Sequence, residues 1–111
     1  MNIQIFGKNK CFDTKKAQRY FKERGIKVQM IDLPRYGMSR KELESVKAAV
    51  GGIEKLVDPK TEGAALLQYL AYETDQIEKL LEEPKLLRTP IVRNGKKATV
   101  GYDPDIWKTW E

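Results

Sequence analysis

The opening stretch, residues 1–33, constrains the fold more than any other part of the chain. Asn2 to Phe6 alternates, with Ile3 and Ile5 on one side, and predicts a strand. Gly7 to Phe12 reads as a loop, and Asp13 or Thr14 as the cap of a helix running to about Arg24. Ala17, Tyr20 and Phe21 recur at helical spacing, and Gly25 is the stop signal. Lys27 to Leu33 is rich in Val, Ile and Met and predicts a second strand. Strand, helix and strand at this spacing imply parallel pairing through a right-handed crossover.

The remainder divides into helices and then a hairpin. Pro34 to Met38 is a break. Ser39 and Glu42 form a capping box ahead of a helix whose buried stripe is Leu43, Val46, Ala49 and Val50. Gly51-Gly52 ends it, and Ile53, Leu56 and Val57 suggest a short helical turn before Pro59. Ala64 to Tyr69 reads as helical; Thr74 then caps a helix carrying Ile77, Leu80 and Leu81, closed by Pro84. Pro90 to Arg93 and Ala98 to Val100 read as two strands about an Asn94-Gly95 turn, with Lys96 able to lengthen the loop. Asp103-Pro104 opens a last helix carrying Ile106, Trp107 and Trp110. The order β-α-β, helices, β-β-α is a thioredoxin-like α/β layout: a four-stranded mixed sheet with a helical insertion between its βαβ and ββα halves. One domain, residues 1–111, with an insert at about 39–83, is expected.

Composition narrows the chemistry by elimination. There is one cysteine, Cys11, and no histidine. An internal disulfide, a cysteine-rich zinc site, a Cys-His pair and a Ser-His-Asp triad are therefore excluded, and no bound metal or cofactor is expected. The net charge of +5 is spread along the chain with carboxylates interspersed, and no aromatic-and-basic stripe points to direct nucleic-acid binding. No apolar run approaches the ~20 residues of a membrane span. The N-terminus lacks a signal-peptide layout, so a cytoplasmic protein is expected.

Cys11 sits between a strand and a helix start. The nucleophilic form of a thiol is its anion, which helix-terminal N–H groups favour. Lys8, Lys10, Lys15 and Lys16 add positive potential, and Thr14, three residues on, can donate to the sulfur. The plain alternative is a small buried hydrophobe. Phe12 reads as a core plug. Proline is tolerated where Thr89-Pro90 opens the third strand. In the expected fold this proline faces the cysteine in cis form, leaving the Thr89 backbone to pair with a thiol peptide; the alternative is a trans strand-entry proline. Arg88 can reach the same cleft to bind a carboxylate or oxyanion, or lie solvated at the surface.

These pieces resemble the arsenate reductase/Spx family, also called the arsenate reductase C-like family. The resemblance spans nearly the whole chain. It rests on Ile5-Phe6-Gly7 leading to Cys11, Thr14-Lys15-Lys16-Ala17, the Gly25 turn, Ser39-Arg40-Lys41-Glu42-Leu43 and Gly52-Ile53. It closes with Leu86-Leu87-Arg88-Thr89-Pro90-Ile91-Val92, Asn94-Gly95-Lys96 and Val100-Gly101-Tyr102. It implies a reactive Cys11, with Thr14, Lys15 and Lys10 stabilising its thiolate and Arg88, Thr89 and Pro90 positioning the substrate. In the reductases of the family the thiolate attacks arsenate, glutathione and glutaredoxin resolve the adduct, and arginines hold the oxyanion. Here Thr89 stands directly before Pro90, and the other two arginine positions fall near Asp58, with Lys60 close by, and near Thr99. That departure moves the expected chemistry from arsenate to thiol exchange, with glutathione as co-substrate or a glutaredoxin-type thiol donor as partner. The Spx branch implies a different role, regulation by binding RNA polymerase through its α subunit, usually with a Cys-x-x-Cys switch. Here the second position of that pair is Thr14.

Overall fold

The computed structural model describes residues 1–111. Four strands form one sheet in the order β2-β1-β3-β4. β1 (Ile3–Gly7) pairs in parallel with β2 (Val28–Asp32) and antiparallel with β3 (Ile91–Asn94), which pairs antiparallel with β4 (Lys97–Val100). This is the thioredoxin-like mixed sheet expected from the element order. Asn94 pairs with Lys97, so the hairpin loop is the two residues Gly95-Lys96. Gly95 has φ +62°, as the first central position of a II′ turn requires.

The pleat of β1 sorts the core onto two faces. Ile3 and Ile5 pack with Ala17, Tyr20 and Phe21 of α1 (Phe12–Glu23) and with Trp107 of α6 (Pro104–Lys108). Phe6 points the other way and joins Leu33, Leu43, Val46, Leu80 and Ile91. Between β2 and β3 lie α2 (Leu33–Tyr36), α3 (Arg40–Val50), α4 (Ala64–Leu67) and α5 (Glu73–Glu82), with short 3-10 turns at Ile53–Lys55 and Pro84–Leu86. Helices therefore cover both faces of the sheet. No helix is long and apolar enough to cross a membrane.

Several expectations need correction. The break after β2 contains a short helix, because Pro34 sits at a permitted first-turn position. Neither Asp13 nor Thr14 caps α1, whose N-cap is Cys11; Thr74 lies inside the first turn of α5, whose N-cap is Tyr72. Both threonines are typical cap types, but the helices begin earlier and take them inside. Ala49 is exposed rather than buried. The capping box at Ser39 is complete: Ser39 Oγ accepts from Glu42 N–H at 3.1 Å, and Glu42 Oε1 accepts from Ser39 N–H at 2.9 Å.

Thr99 is buried on the α6 side of β4, where its hydroxyl accepts a 2.7 Å hydrogen bond from the Trp107 indole N–H. Removing one partner strands a buried polar group, so Trp107→Phe is expected to cost about 1–3 kcal/mol. Adding Thr99→Val should recover part of that loss, because both polar groups are then gone. Urea unfolding of the two single variants and the double variant measures the coupling.

Candidate active site at Cys11

β1 ends at Gly7, and the chain turns back into α1 over the next four residues. Cys11 N–H donates to the Lys8 carbonyl at 3.2 Å, closing that turn, and the Cys11 carbonyl accepts from Lys15 N–H at 3.3 Å. Cys11 is thus the N-cap, with extended backbone (φ −89°, ψ 116°) and no side-chain capping bond of the usual kind. At this position a serine or aspartate oxygen would accept the N–H groups of the second and third helical residues. Those residues are Asp13 and Thr14. A thiolate at Cys11 takes the same role with sulfur as the acceptor.

Thr14 is buried, and its Oγ1 accepts a long 3.4 Å hydrogen bond from Lys8 N–H. With its lone pair engaged there, the hydroxyl proton is free to point at sulfur. Gly7 makes this arrangement possible. A Cβ at Gly7 would lie 2.3 Å from Thr14 Cγ2 and 2.8 Å from its Oγ1. The sequence reading treats Gly7 only as part of a loop; the signal for its role is a glycine ending a buried strand ahead of a helix that must pack close.

Thr89 closes the site from the opposite side. Its peptide bond to Pro90 is cis, and its carbonyl accepts from the Cys11 thiol at 3.6 Å. The Thr89 amide N–H has no backbone partner. Pro90 is buried behind it, and its carbonyl accepts from Gly101 N–H at 2.8 Å, which anchors the turn to the end of β4.

Two influences compete at the sulfur. Partial burial is the largest and pushes the thiol pKa up. Hydrogen bonds from the Thr14 and Thr89 side chains and from the Thr14 and Asp13 backbone N–H groups favour the anion. Together they prevail, holding Cys11 below the ordinary thiol value. The contact with the Thr89 carbonyl favours the protonated form alone, because a thiolate has no proton to donate, and it breaks on ionisation.

The other residues singled out in the sequence are placed unevenly. Lys10 and Lys15 are exposed, and the Lys15 Nζ lies 5.8 Å from the centroid of the Phe12 ring. Phe12 is not a core plug: it is 79% exposed. Arg88 turns away from the cysteine. Its Nε donates to the Val57 carbonyl at 3.0 Å, and its side chain lines a cavity of about 520 Å³ with Ile53, Ala64 and Gln76, to which no residue of the Cys11 loop contributes. Asp58 turns back on its own loop, accepting from Lys60 N–H at 3.0 Å. Thr99 is engaged with Trp107. The three positions associated with oxyanion arginines hold Thr89, Asp58 and Thr99, none of them a cation.

Thr14→Val should therefore raise the pH midpoint of Cys11 alkylation, since it removes the hydroxyl donor to the sulfur and, with it, the acceptor of the Lys8 N–H. Gly7→Ala should do the same while costing about 1–3 kcal/mol, the usual range for overpacking. A native pKa below the unfolded one means that Cys11 contributes stability above the unfolded thiol pKa, and that this contribution is lost as pH falls through the native pKa. In Cys11→Ser that part of the pH dependence should disappear, as denaturation across the alkaline range would show.

Comparison with known proteins agrees with the geometry. The model of the ArsC family matches residues 6–110. The chain is 29% identical to Global transcriptional regulator Spx 2 of Oceanobacillus iheyensis, over 95% of this chain and 80% of that protein. An arsenate reductase from Vibrio cholerae superposes with a TM-score of 0.84 over 96% of this chain and 94% of the other, at 22% identity. The glutaredoxin-like protein NrdH-redoxin from Escherichia coli superposes with a TM-score of 0.51 over 100% of this chain and 96% of its own, at 18% identity. The chain belongs to the ArsC family, the arsenate reductase/Spx group of thioredoxin-like proteins.

Proposed function

We propose that this protein is a single-cysteine thiol oxidoreductase. The supporting observation is the sulfur of Cys11 at a helix N-cap, its pKa lowered by hydrogen bonds, beside the unpaired backbone N–H of Thr89. The Cys11 thiolate attacks one sulfur of a glutathione mixed disulfide. The disulfide bond breaks, its electron pair leaves with the substrate thiolate, and glutathione stays on Cys11. A second thiolate, from glutathione or a glutaredoxin-type donor, attacks the adduct, releases Cys11 and carries away the oxidising equivalents as a disulfide. Thr89 pairs with the extended backbone of the bound thiol peptide, and Pro90 shapes the wall behind it. Lys15 and Lys10 add a screened positive potential, smaller than the effect of the fixed amides. A reducing, cytoplasmic setting suits an unpaired thiol of this kind.

Arsenate is a poor fit. A multiply charged oxyanion needs fixed cations, ideally bidentate arginines. Arg88 is held by Val57, and Asp58 brings negative charge where a cation is wanted. Purified protein with glutathione and glutaredoxin should form no arsenite above the Cys11→Ser background. Incubation with glutathione disulfide should place one glutathione on Cys11, seen by intact mass, and excess glutathione should remove it. Failure of Cys11 to form that adduct would refute the oxidoreductase reading.

A second reading is favoured by the relative whose name is Global transcriptional regulator Spx 2. On this reading the chain regulates transcription by binding the RNA polymerase α subunit, without catalysis. Pull-down of that subunit, undiminished by Cys11→Ser, would support regulation in place of catalysis.

A further inference from the structure

The surface around the cysteine departs from what a small-molecule thiol site needs. Phe12, the residue after Cys11, is 79% exposed, and Tyr36 of α2 is 67% exposed. Between the Cys11 loop and the end of β2 runs a groove of about 350 Å³, walled by Lys8, Lys15, Met30 and Tyr36. Lys15 belongs to both features, because it lines the groove and its Nζ faces the Phe12 ring. The patch is thus continuous from Phe12 to Tyr36.

Its charge is one-sided. Residues 8–16 hold four lysines against the single Asp13. None of Lys8, Lys10, Lys15 or Lys16 enters an ion pair, although six ion pairs form elsewhere. Lys8 Nζ instead donates to the Lys85 backbone carbonyl at 3.3 Å. Asp32 is the one carboxylate lining the groove, and it is half-buried. Exposed apolar side chains rimmed by unmatched charge mark protein-interaction surfaces more than small-ligand pockets.

We propose that the preferred substrate of Cys11 is a disulfide carried on an acidic protein segment with an apolar residue beside its cysteine. This rests on the oxidoreductase reading and specifies its substrate class. The apolar residue packs on Phe12, the flanking carboxylates meet Lys8, Lys10, Lys15 and Lys16, and the segment backbone lies along Thr89. Opposite charge steers the encounter, so the preference is expressed in the second-order rate. In the reaction the Cys11 thiolate displaces the segment's partner thiolate from the disulfide: one S–S bond forms as one breaks, with no net change in oxidation.

Two synthetic peptides test it. Each has one leucine-flanked cysteine as a 2-pyridyl disulfide, one with outer glutamates and the other with outer lysines. Release of 2-thiopyridone gives the rate, and neutral 2,2′-dipyridyl disulfide reports the reactivity of Cys11 itself. At low salt the acidic peptide should react about tenfold faster or more, within the range known for electrostatic steering. The difference should collapse at about 1 M salt, where the Debye length is about 3 Å. Lys8→Glu/Lys16→Glu should reverse the preference, and Phe12→Ala should slow both peptides relative to the neutral disulfide. Equal peptide rates with normal dipyridyl disulfide reactivity would overturn this substrate class and leave thiol exchange standing. No reaction with any disulfide would overturn both.

Discussion

The site depends on the antiparallel register between β1 and β3. Phe6 pairs with Ile91, so the residues just after β1 and just before β3 leave the sheet at the same edge. Cys11 and Thr89 are 78 positions apart in sequence, yet the thiol reaches the Thr89 carbonyl. A slip of one residue in this pairing would turn Ile91 and Val92 to the wrong faces, exchanging the partners of two separate cores. Burial on both sides of the sheet therefore fixes the register, and the register fixes the site. The helical insert serves this end, since its Leu43, Val46 and Leu80 close the face to which Phe6 and Ile91 belong.

Within that frame, the reactivity of Cys11 is a problem of close packing as much as of charge. The lysines nearby are exposed and screened. The donors that favour the thiolate are two backbone N–H groups and two threonine side chains, of which that of Thr14 is buried. Thr14 is held by Lys8 N–H and by the space left at Gly7. The capping geometry that normally stops a helix from fraying is here turned to stabilising an anion. The same interaction then appears both as acidity of the thiol and as alkaline stability of the fold.

The sheet, the order of its elements and the capping box at Ser39 were legible because each rests on a periodicity or a local motif. The helix starts at α1 and α5 were not, since a threonine inside the first turn has the same sequence signature as a threonine at the cap. Phe12 was misread from hydrophobicity, although helix phase contained the answer. At about 100° per residue, Thr14 lies seven positions before Phe21, close to two full turns, on the same face. Phe12 lies nine positions before it, two and a half turns, on the opposite face. The direction of Arg88 could not be read at all, because it follows from the bridge between Val57 and Leu87, a contact between two irregular segments.

The two absences in the composition and the geometry converge on one kind of chemistry. Without histidine there is no imidazole to take the proton of Cys11, so the oxidoreductase proposed above relies on a thiolate formed beforehand, which the hydrogen bonds at the N-cap favour. Without a second cysteine, an adduct in the proposed cycle waits for another molecule, which needs an approachable sulfur, and Cys11 is partly exposed. On the oxidoreductase reading proposed above, the diversion of Arg88 to Val57 and the exposure of Phe12 suit a sulfur that receives a partner twice in each cycle: once to load it and once to clear it.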